Sequence, residues 1–147
     1  MLDEVQILDE FGEVLKTYRV PHGRVQFEGV TWEGVHLHGA QLANANFKGA
    51  DLYWANFFLA HLDGANFENA NLQGVDLKEA SCIGTSFRGA NLGRDNLGGG
   101  SKLQGADFTR AILNRANLEG AEYDEETKFP KGFFPQSHGM IEIQMDE

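Results

Sequence analysis

The chain has 147 residues, a length suited to a single domain, and its charged residues give a formal net charge of −10. Its single cysteine excludes an internal disulfide, and no apolar run approaches the length of a membrane-spanning helix. Because the N-terminus also lacks a basic leader followed by an apolar run, we expect a cytoplasmic protein with no membrane partner.

The first predicted element is an N-terminal β-hairpin that covers one end of the molecule. Residues 5–8 and 14–18 are short segments rich in apolar residues, with a turn at Phe11 and Gly12 between them. This arrangement is typical of a hairpin. We therefore assign residues 1–23 to an N-terminal cap.

Residues 24–123 repeat every five positions. A large, mostly apolar residue stands at every fifth position, and a small residue usually stands two places before it. A period of five matches neither the 3.6 of a helix nor the 2 of a strand. A closed coil with four five-residue sides satisfies the pattern, because residues two apart point to the same, inward face of an extended side.

The phenylalanines determine the number of sides in each turn. Five of them are spaced by 20, 20, 20 and 21 residues: Phe27, Phe47, Phe67, Phe87 and Phe108. With four units per turn they form one buried column, which contributes substantially to the core. In the other columns the same register places Leu113 after Leu92, Leu118 after Leu97, and Tyr123 after Leu103.

The step of 21 residues predicts a single residue looped out between Leu97 and Leu103. The flexible segment 98–101, Gly-Gly-Gly-Ser, is the expected site. Asp95 then occupies an inward position that a small residue normally holds. We expect a distorted coil at this point rather than a local hydrogen-bonding role for the Asp95 carboxylate.

The repeat resembles the motif of the pentapeptide-repeat proteins. The units Ala-Asn-Phe-Lys-Gly (45–49), Ala-Asp-Leu-Tyr-Trp (50–54) and Ala-Asn-Leu-Glu-Gly (116–120) carry the likeness, including a short polar residue before the large one. Such a polar residue is able to bond the local backbone at a corner. The resemblance implies an all-β fold, a right-handed four-sided β-helix of about five coils.

Residues 124–147 form the predicted C-terminal cap, which we expect to be irregular. Its segment 129–134, Phe-Pro-Lys-Gly-Phe-Phe, resembles the closing segment of many bacterial members of the family. The alternating segment 139–145 predicts a strand that pairs with an end coil or with another subunit. A homodimer formed through an end coil is therefore one open alternative for assembly.

The sequence offers no convincing catalytic group. His36 and His38 flank the inward Leu37 and should both face outward, but no third metal ligand is assured near them. Cys82 occupies a core position without a histidine partner, so a nucleophilic role is not expected. The glycines turn corners, and none belongs to a phosphate-binding loop before a helix. We predict no enzymatic activity, no cofactor and no metal.

Some members of this family bind DNA gyrase or topoisomerase IV by imitating duplex DNA, and the net charge of −10 suggests that alternative. The coil itself, residues 24–123, carries 11 acidic and 8 basic residues, and opposite charges alternate along one side at Glu28, Lys48, Glu68 and Arg88. A mixed surface is a poor copy of a phosphate backbone. We therefore favour a non-enzymatic scaffold that binds a protein partner and makes no direct contact with nucleic acid.

The clearest candidate for a partner surface lies in two adjacent units. Tyr53, Trp54, Phe58 and Leu59 occupy outward positions where other units place polar or small residues. Exposed contiguous apolar patches are uncommon without a purpose. Two explanations stay open: a surface for a protein partner or a second copy, or a surface that a terminal segment covers.

Overall fold

The computed structural model describes residues 2–8, 11–21 and 26–144. Most of them form a coil whose successive turns are joined by parallel β-bridges between residues 20 apart, from Gln26 with Asn46 to Asn71 with Asn91. Four five-residue sides per turn account for this spacing. The predicted right-handed four-sided β-helix is confirmed.

Each side is too short for a regular strand because a corner follows every large inward residue. At one such corner the Ala50 N–H donates to the Phe47 carbonyl at 3.0 Å, which closes a tight turn. Gly49 adopts a φ of 67° there, in the left-handed region that this type of turn requires at its third residue. The polar position also has a role, since the Asn46 side-chain oxygen accepts a hydrogen bond from the Lys48 N–H at 3.0 Å.

The core is an apolar column inside the coil, and its phenylalanines stack as predicted as far as Phe87. The rings of Phe47 and Phe67 lie 5.0 Å apart, and those of Phe67 and Phe87 lie 5.4 Å apart, both pairs within 5° of parallel. All three side chains are fully buried. Such offset contacts add to the burial of apolar area in stabilising the coil.

The prediction of a single looped-out residue is wrong. After Asn71 the pairing continues with a spacing of 26 residues, from Asp76 with Lys102 to Asn91 with Asn117. Six residues therefore leave the coil, and we call residues 95–100 the 95–100 loop. Leu97, predicted in the core, is 82% exposed on this loop. Six residues equal one five-residue unit plus one extra residue. The spacing of large residues in the sequence is therefore the same whether one residue or six leave the coil, and it cannot reveal the length of the loop.

The core residues that follow the loop consequently lie one side of the coil away from their predicted columns. The backbone pairing puts Leu113 next to Phe87, Leu118 next to Leu92, Leu103 next to Leu77, Phe108 next to Cys82, and Tyr123 next to Leu103. Phe108 therefore does not extend the phenylalanine column. Its ring meets that of Phe87 edge to face, at 5.8 Å and 65°.

The N-terminal end is covered by an antiparallel hairpin of strands β1 (Leu2–Leu8) and β2 (Val14–Pro21). The hairpin is joined to the first coil by a hydrogen bond of 3.1 Å from the Leu8 N–H to the His36 carbonyl. The ring of Tyr18 lies 5.6 Å from Phe27 and 5.7 Å from Trp32. The predicted boundary between residues 23 and 24 falls outside the described residues.

At the C-terminal end, the coil pairing extends as far as Lys128, which bridges to Asp107. A short 3-10 helix at Pro135–His138 follows, and strand β4 (Ile141–Glu142) then pairs in parallel with strand β3 (Glu122–Tyr123). The tail thus pairs with an end coil, one of the two predicted alternatives; residue 145 of the predicted strand lies outside the described part. No helix in the described ranges is long and apolar enough to cross a membrane.

Candidate interaction surface

The corners of the coil impose a backbone conformation that few side chains tolerate. Most corners use glycine or asparagine, yet Trp54 and Leu59 occupy two successive corners with φ values of 59° and 58°. A left-handed φ costs a residue with a Cβ atom about 1–2 kcal/mol. Trp54 is nevertheless 46% exposed and Leu59 48% exposed, so neither side chain recovers this cost through complete burial.

The four residues predicted as an interaction patch lie at these two corners, and we call them the corner surface. Tyr53 and Phe58 are half-buried beside the more exposed Trp54 and Leu59. The rings of Tyr53 and Trp54 stack, with centroids 5.2 Å apart and planes inclined by 25°. The Lys78 Nζ atom, on the same side of the next coil, lies 5.9 Å from the centre of the Phe58 ring.

The 95–100 loop folds back against the first of these corners. The Trp54 Nε1–H donates to Asp95 Oδ2 at 2.8 Å, and the Asn96 N–H donates to the Tyr53 hydroxyl oxygen at 3.0 Å. Gln73 contributes a further bond from Nε2 to the Arg94 carbonyl at 2.9 Å. An internal loop, rather than a terminal segment, therefore contacts Tyr53 and Trp54.

Asp95 is the centre of this arrangement. Besides the Trp54 indole, its carboxylate accepts hydrogen bonds from the Leu97 and Gly99 N–H groups, each at 2.8 Å. These bonds favour the charged form, and the Trp54 bond is the largest cause of a pKa below the ordinary value for Asp95. We call the contacts of Tyr53 and Trp54 with Asp95 and Asn96 the clasp.

Gly74 allows the clasp to form. It lies one coil below Trp54 with a φ of 68°. A Cβ atom at this position would overlap Trp54 Cδ1 and would come within 2.8 Å of Trp54 Nε1 and 3.2 Å of Asp95 Cβ. The two separations from Trp54 essentially never occur for a real Cβ atom, so the indole reaches this position only because residue 74 has no side chain.

Sequence reasoning missed the clasp, although a signal was present. Asp95 stands where the pattern calls for a small inward residue, and we expected distortion of the coil rather than a hydrogen-bonding role. The structure shows both, because the coil is interrupted and the carboxylate accepts three hydrogen bonds. Asp95 at an inward position and the three glycines at 98–100 marked an irregular coil, but nothing in the pattern paired Asp95 with Trp54.

The residues considered as a nucleophile or as metal ligands, namely Cys82, His36 and His38, do not form one site. Cys82 is fully buried, and burial raises the pKa of its thiol strongly, with smaller contributions from the carboxylates of Asp63 and Asp107. His36 is half-buried and His38 exposed. Within residues 2–8, 11–21 and 26–144, no group of three or more His, Cys, Asp or Glu side chains is placed to hold a metal ion.

The charges along one side of the coil alternate from turn to turn. Backbone pairing stacks Glu28, Lys48, Glu68 and Arg88 in the predicted order. None of these four forms an ion pair within 4 Å with another of them. Glu68 instead accepts a hydrogen bond of 3.3 Å from the Ser86 hydroxyl. The side therefore presents both signs of charge to solvent.

These features define a four-sided repeat solenoid. The chain belongs to the pentapeptide-repeat family, whose model of pentapeptide repeats matches it in eight copies over residues 23–57, 55–94 and 99–122. Residues 95–98, which the structure places in the loop, lie between two matched segments. A comparison with curated protein sequences found no match.

Several solved structures are similar to this chain. A pentapeptide repeat protein from the thylakoid lumen of Arabidopsis thaliana has 29% identity and a TM-score of 0.47, over 71% of this chain and 68% of its own. The pentapeptide repeat protein alr5209 from Nostoc PCC 7120 has 31% identity and a TM-score of 0.41, over 82% and 87%. QnrB1, a plasmid-mediated fluoroquinolone resistance protein, has 16% identity and a TM-score of 0.46, over 82% and 84%.

Proposed function

We propose that this protein is a rigid, non-enzymatic scaffold that binds a protein partner through the corner surface. The observation that carries the proposal is the pair of large apolar residues, Trp54 and Leu59, kept half-exposed in left-handed corners. Glycine fits such a corner at lower cost, as Gly39 shows one coil above Leu59. Backbone strain retained at the surface is a recognised sign of a functional position.

The scaffold supplies rigidity, which lowers the entropy lost on binding. The corner surface rests on fully buried Leu52 and Phe57, and backbone hydrogen bonds join each coil to the next. Side chains fixed on such a support lose little freedom when a partner covers them. Aromatic residues with a polar group, such as Tyr53 and Trp54, are enriched at protein interfaces for the same reason.

The 95–100 loop enlarges this surface. The clasp fixes Asp95 and Asn96 beside the Trp54 corner, and the next residue, Leu97, is 82% exposed. An exposed leucine on a loop that the clasp anchors is a natural contact for an apolar recess on a partner. The proposed binding area therefore includes Leu97 as well as the corner surface.

The proposal is tested by replacing Leu59 with glycine. Leu59→Gly removes the exposed side chain and relieves the left-handed φ, so we expect the melting temperature to stay the same or to rise. Glu79→Gly is a matched control, because Glu79 occupies the corresponding corner of the next coil with the same φ of 58°.

Binding is measured by affinity capture from an extract of cells that express the protein, and self-association by sedimentation velocity. We expect Leu59→Gly to lose a partner, or a second copy, that the parent protein and Glu79→Gly both retain. Equal capture and equal sedimentation by all three proteins would show that the corner surface is not the binding site.

The alternative of a DNA mimic directed at gyrase or topoisomerase IV is supported by the net charge of −10. The alternating charges along the Glu28 side weigh against it, because a phosphate backbone is uniformly negative. We expect no effect of the purified protein on gyrase supercoiling at micromolar concentration. Tight inhibition that weakens with added salt would establish the mimic in place of the scaffold.

A further inference from the structure

One side of the last coil has no neighbouring strand on its outer edge within the described ranges. Ile112 bridges to Ser86 in the preceding coil, and within the described residues it has no β-bridge on its other side. The segment 130–133 passes this open edge instead of pairing with it. A pocket of about 420 Å³ lies between the two segments.

The open edge carries three consecutive backbone N–H groups that have no hydrogen-bond acceptor among the described residues. In the preceding coil the Phe87 and Gly89 N–H groups donate to the carbonyls of Ile112 and Asn114, toward the C-terminal end. The corresponding N–H groups of Leu113 and Arg115 point the same way but meet no described acceptor. The Asn114 N–H also lacks one, because residue 112 is isoleucine where most units have a polar side chain that accepts this bond.

The side chains around the pocket add positive charge. Arg115 and Lys131 line it, and neither forms an ion pair or a side-chain hydrogen bond with another described residue. None of the described lining residues is acidic, although the chain has 22 acidic residues against 12 basic ones. Arg115 also has a left-handed φ of 61°, the corner conformation that most units give to glycine or asparagine.

The remaining walls are apolar or aromatic. Leu113 lines the pocket, and the rings of Phe133 and His138, which also line it, stack at 4.5 Å with planes inclined by 12°. We propose that this C-terminal pocket binds a small organic anion, a carboxylate on an apolar or aromatic body. The carboxylate accepts hydrogen bonds from N–H groups of this edge and from the guanidinium fork of Arg115, and the body lies against Leu113 and Phe133.

The test is a titration of the full chain with benzoate at constant ionic strength, followed by ¹H–¹⁵N correlation spectra. We expect saturable shifts of the Leu113, Asn114 and Arg115 amide signals. Acetate and inorganic phosphate serve as comparison anions. Acetate has a carboxylate but no aromatic ring, and phosphate is an anion with no carboxylate and no apolar group. We expect both to bind at least about tenfold more weakly than benzoate, a difference of about 1.4 kcal/mol.

Arg115→Gly removes the guanidinium and relieves the left-handed φ without disturbing the core. Arg110→Gly is the matched control, since Arg110 is an exposed arginine with a φ of 57° that does not line the pocket. Both variants change the net charge equally. We expect benzoate affinity to fall about tenfold in Arg115→Gly and in Lys131→Gln and to stay unchanged in Arg110→Gly.

Failure of benzoate to saturate these amide signals would overturn the proposal, and so would an equal loss of affinity in Arg110→Gly. If phosphate or acetate bound as tightly as benzoate, the claim that the pocket recognises an apolar or aromatic body would be wrong. None of these outcomes bears on the corner surface, which lies on earlier coils of the solenoid.

Discussion

At the scale of single residues, the corners decide which side chains the coil can display. Each corner needs a left-handed φ, and glycine meets that need at the lowest cost. Trp54 departs from this rule, and Gly74 beneath it makes the departure possible by leaving room for the indole. The two positions therefore act together, although they are 20 residues apart in the sequence.

Replacing Gly74 with alanine separates this steric role from backbone strain. Gly74→Ala should lose the clasp, because its Cβ atom would overlap the Trp54 ring. Gly84→Ala is the control, with a φ of 66° and no atom within 4 Å of the added Cβ. We expect both to lose about 1–2 kcal/mol from the left-handed φ. Gly74→Ala should lose about 1 kcal/mol more.

The measurements for this pair are urea unfolding and the position of the Trp54 indole N–H signal. Only Gly74→Ala should move that signal toward its value in a solvent-exposed indole. An unchanged indole signal in Gly74→Ala would show that Gly74 does not support the clasp.

Cys82 gives a second test at this scale. Because burial raises the pKa of its thiol, the group stays protonated at pH 8 and lacks the reactive thiolate. We expect labelling by a thiol reagent to be negligible in the native protein and to rise with the unfolded fraction in urea. Rapid labelling without urea would place Cys82 outside the core.

At the scale of elements, the 95–100 loop is held by side chains rather than by β-pairing. Asp95 links the loop to Trp54 and also bonds two N–H groups of the loop itself. Its folded pKa lies below its unfolded value, so its contribution to stability is present above the unfolded pKa and is lost as the pH falls through the folded pKa.

The lowered pKa of Asp95 in the folded protein predicts that acid releases the loop. Below the ordinary aspartate pKa of about 3.9, protonation of Asp95 weakens the bond from the Trp54 indole. We expect the Trp54 indole N–H signal to titrate in this range while the amide signals of the coil stay dispersed. Asp95→Asn should abolish the titration. A titration that persists in Asp95→Asn would assign it to another carboxylate.

At the scale of the whole molecule, the repeat predicts the coil wherever the chain keeps its five-residue step. Phe27 to Phe87, the N-terminal hairpin and the tail strand all follow from local periodicity and alternation. The length of the loop does not, because one whole unit added to a single looped-out residue leaves the five-residue step unchanged while it shifts every later residue by one side of the coil. Leu97 therefore satisfies the sequence pattern and still lies outside the core.

The candidate surface was predictable only in part. The outward, apolar character of Tyr53, Trp54, Phe58 and Leu59 is visible in the sequence because they break the repeat. Their contact with Asp95 and Asn96 depends on a loop returning over Gly74, a long-range packing event that no local pattern encodes. The three N–H groups near Arg115 that meet no acceptor in the described part of the chain likewise depend on where the last coil ends.

The central claim is that a continuous rigid coil displays the corner surface and the 95–100 loop. Deleting residues 95–100 joins Arg94 to Ser101 and restores the 20-residue step. Arg94 then takes the left-handed φ that Arg110 and Arg115 already adopt. The most direct test is the melting temperature of this variant, which we expect within about 5 °C of the parent value, since the loss is limited to the clasp. Loss of cooperative unfolding would contradict the claim and show that the loop is part of the coil.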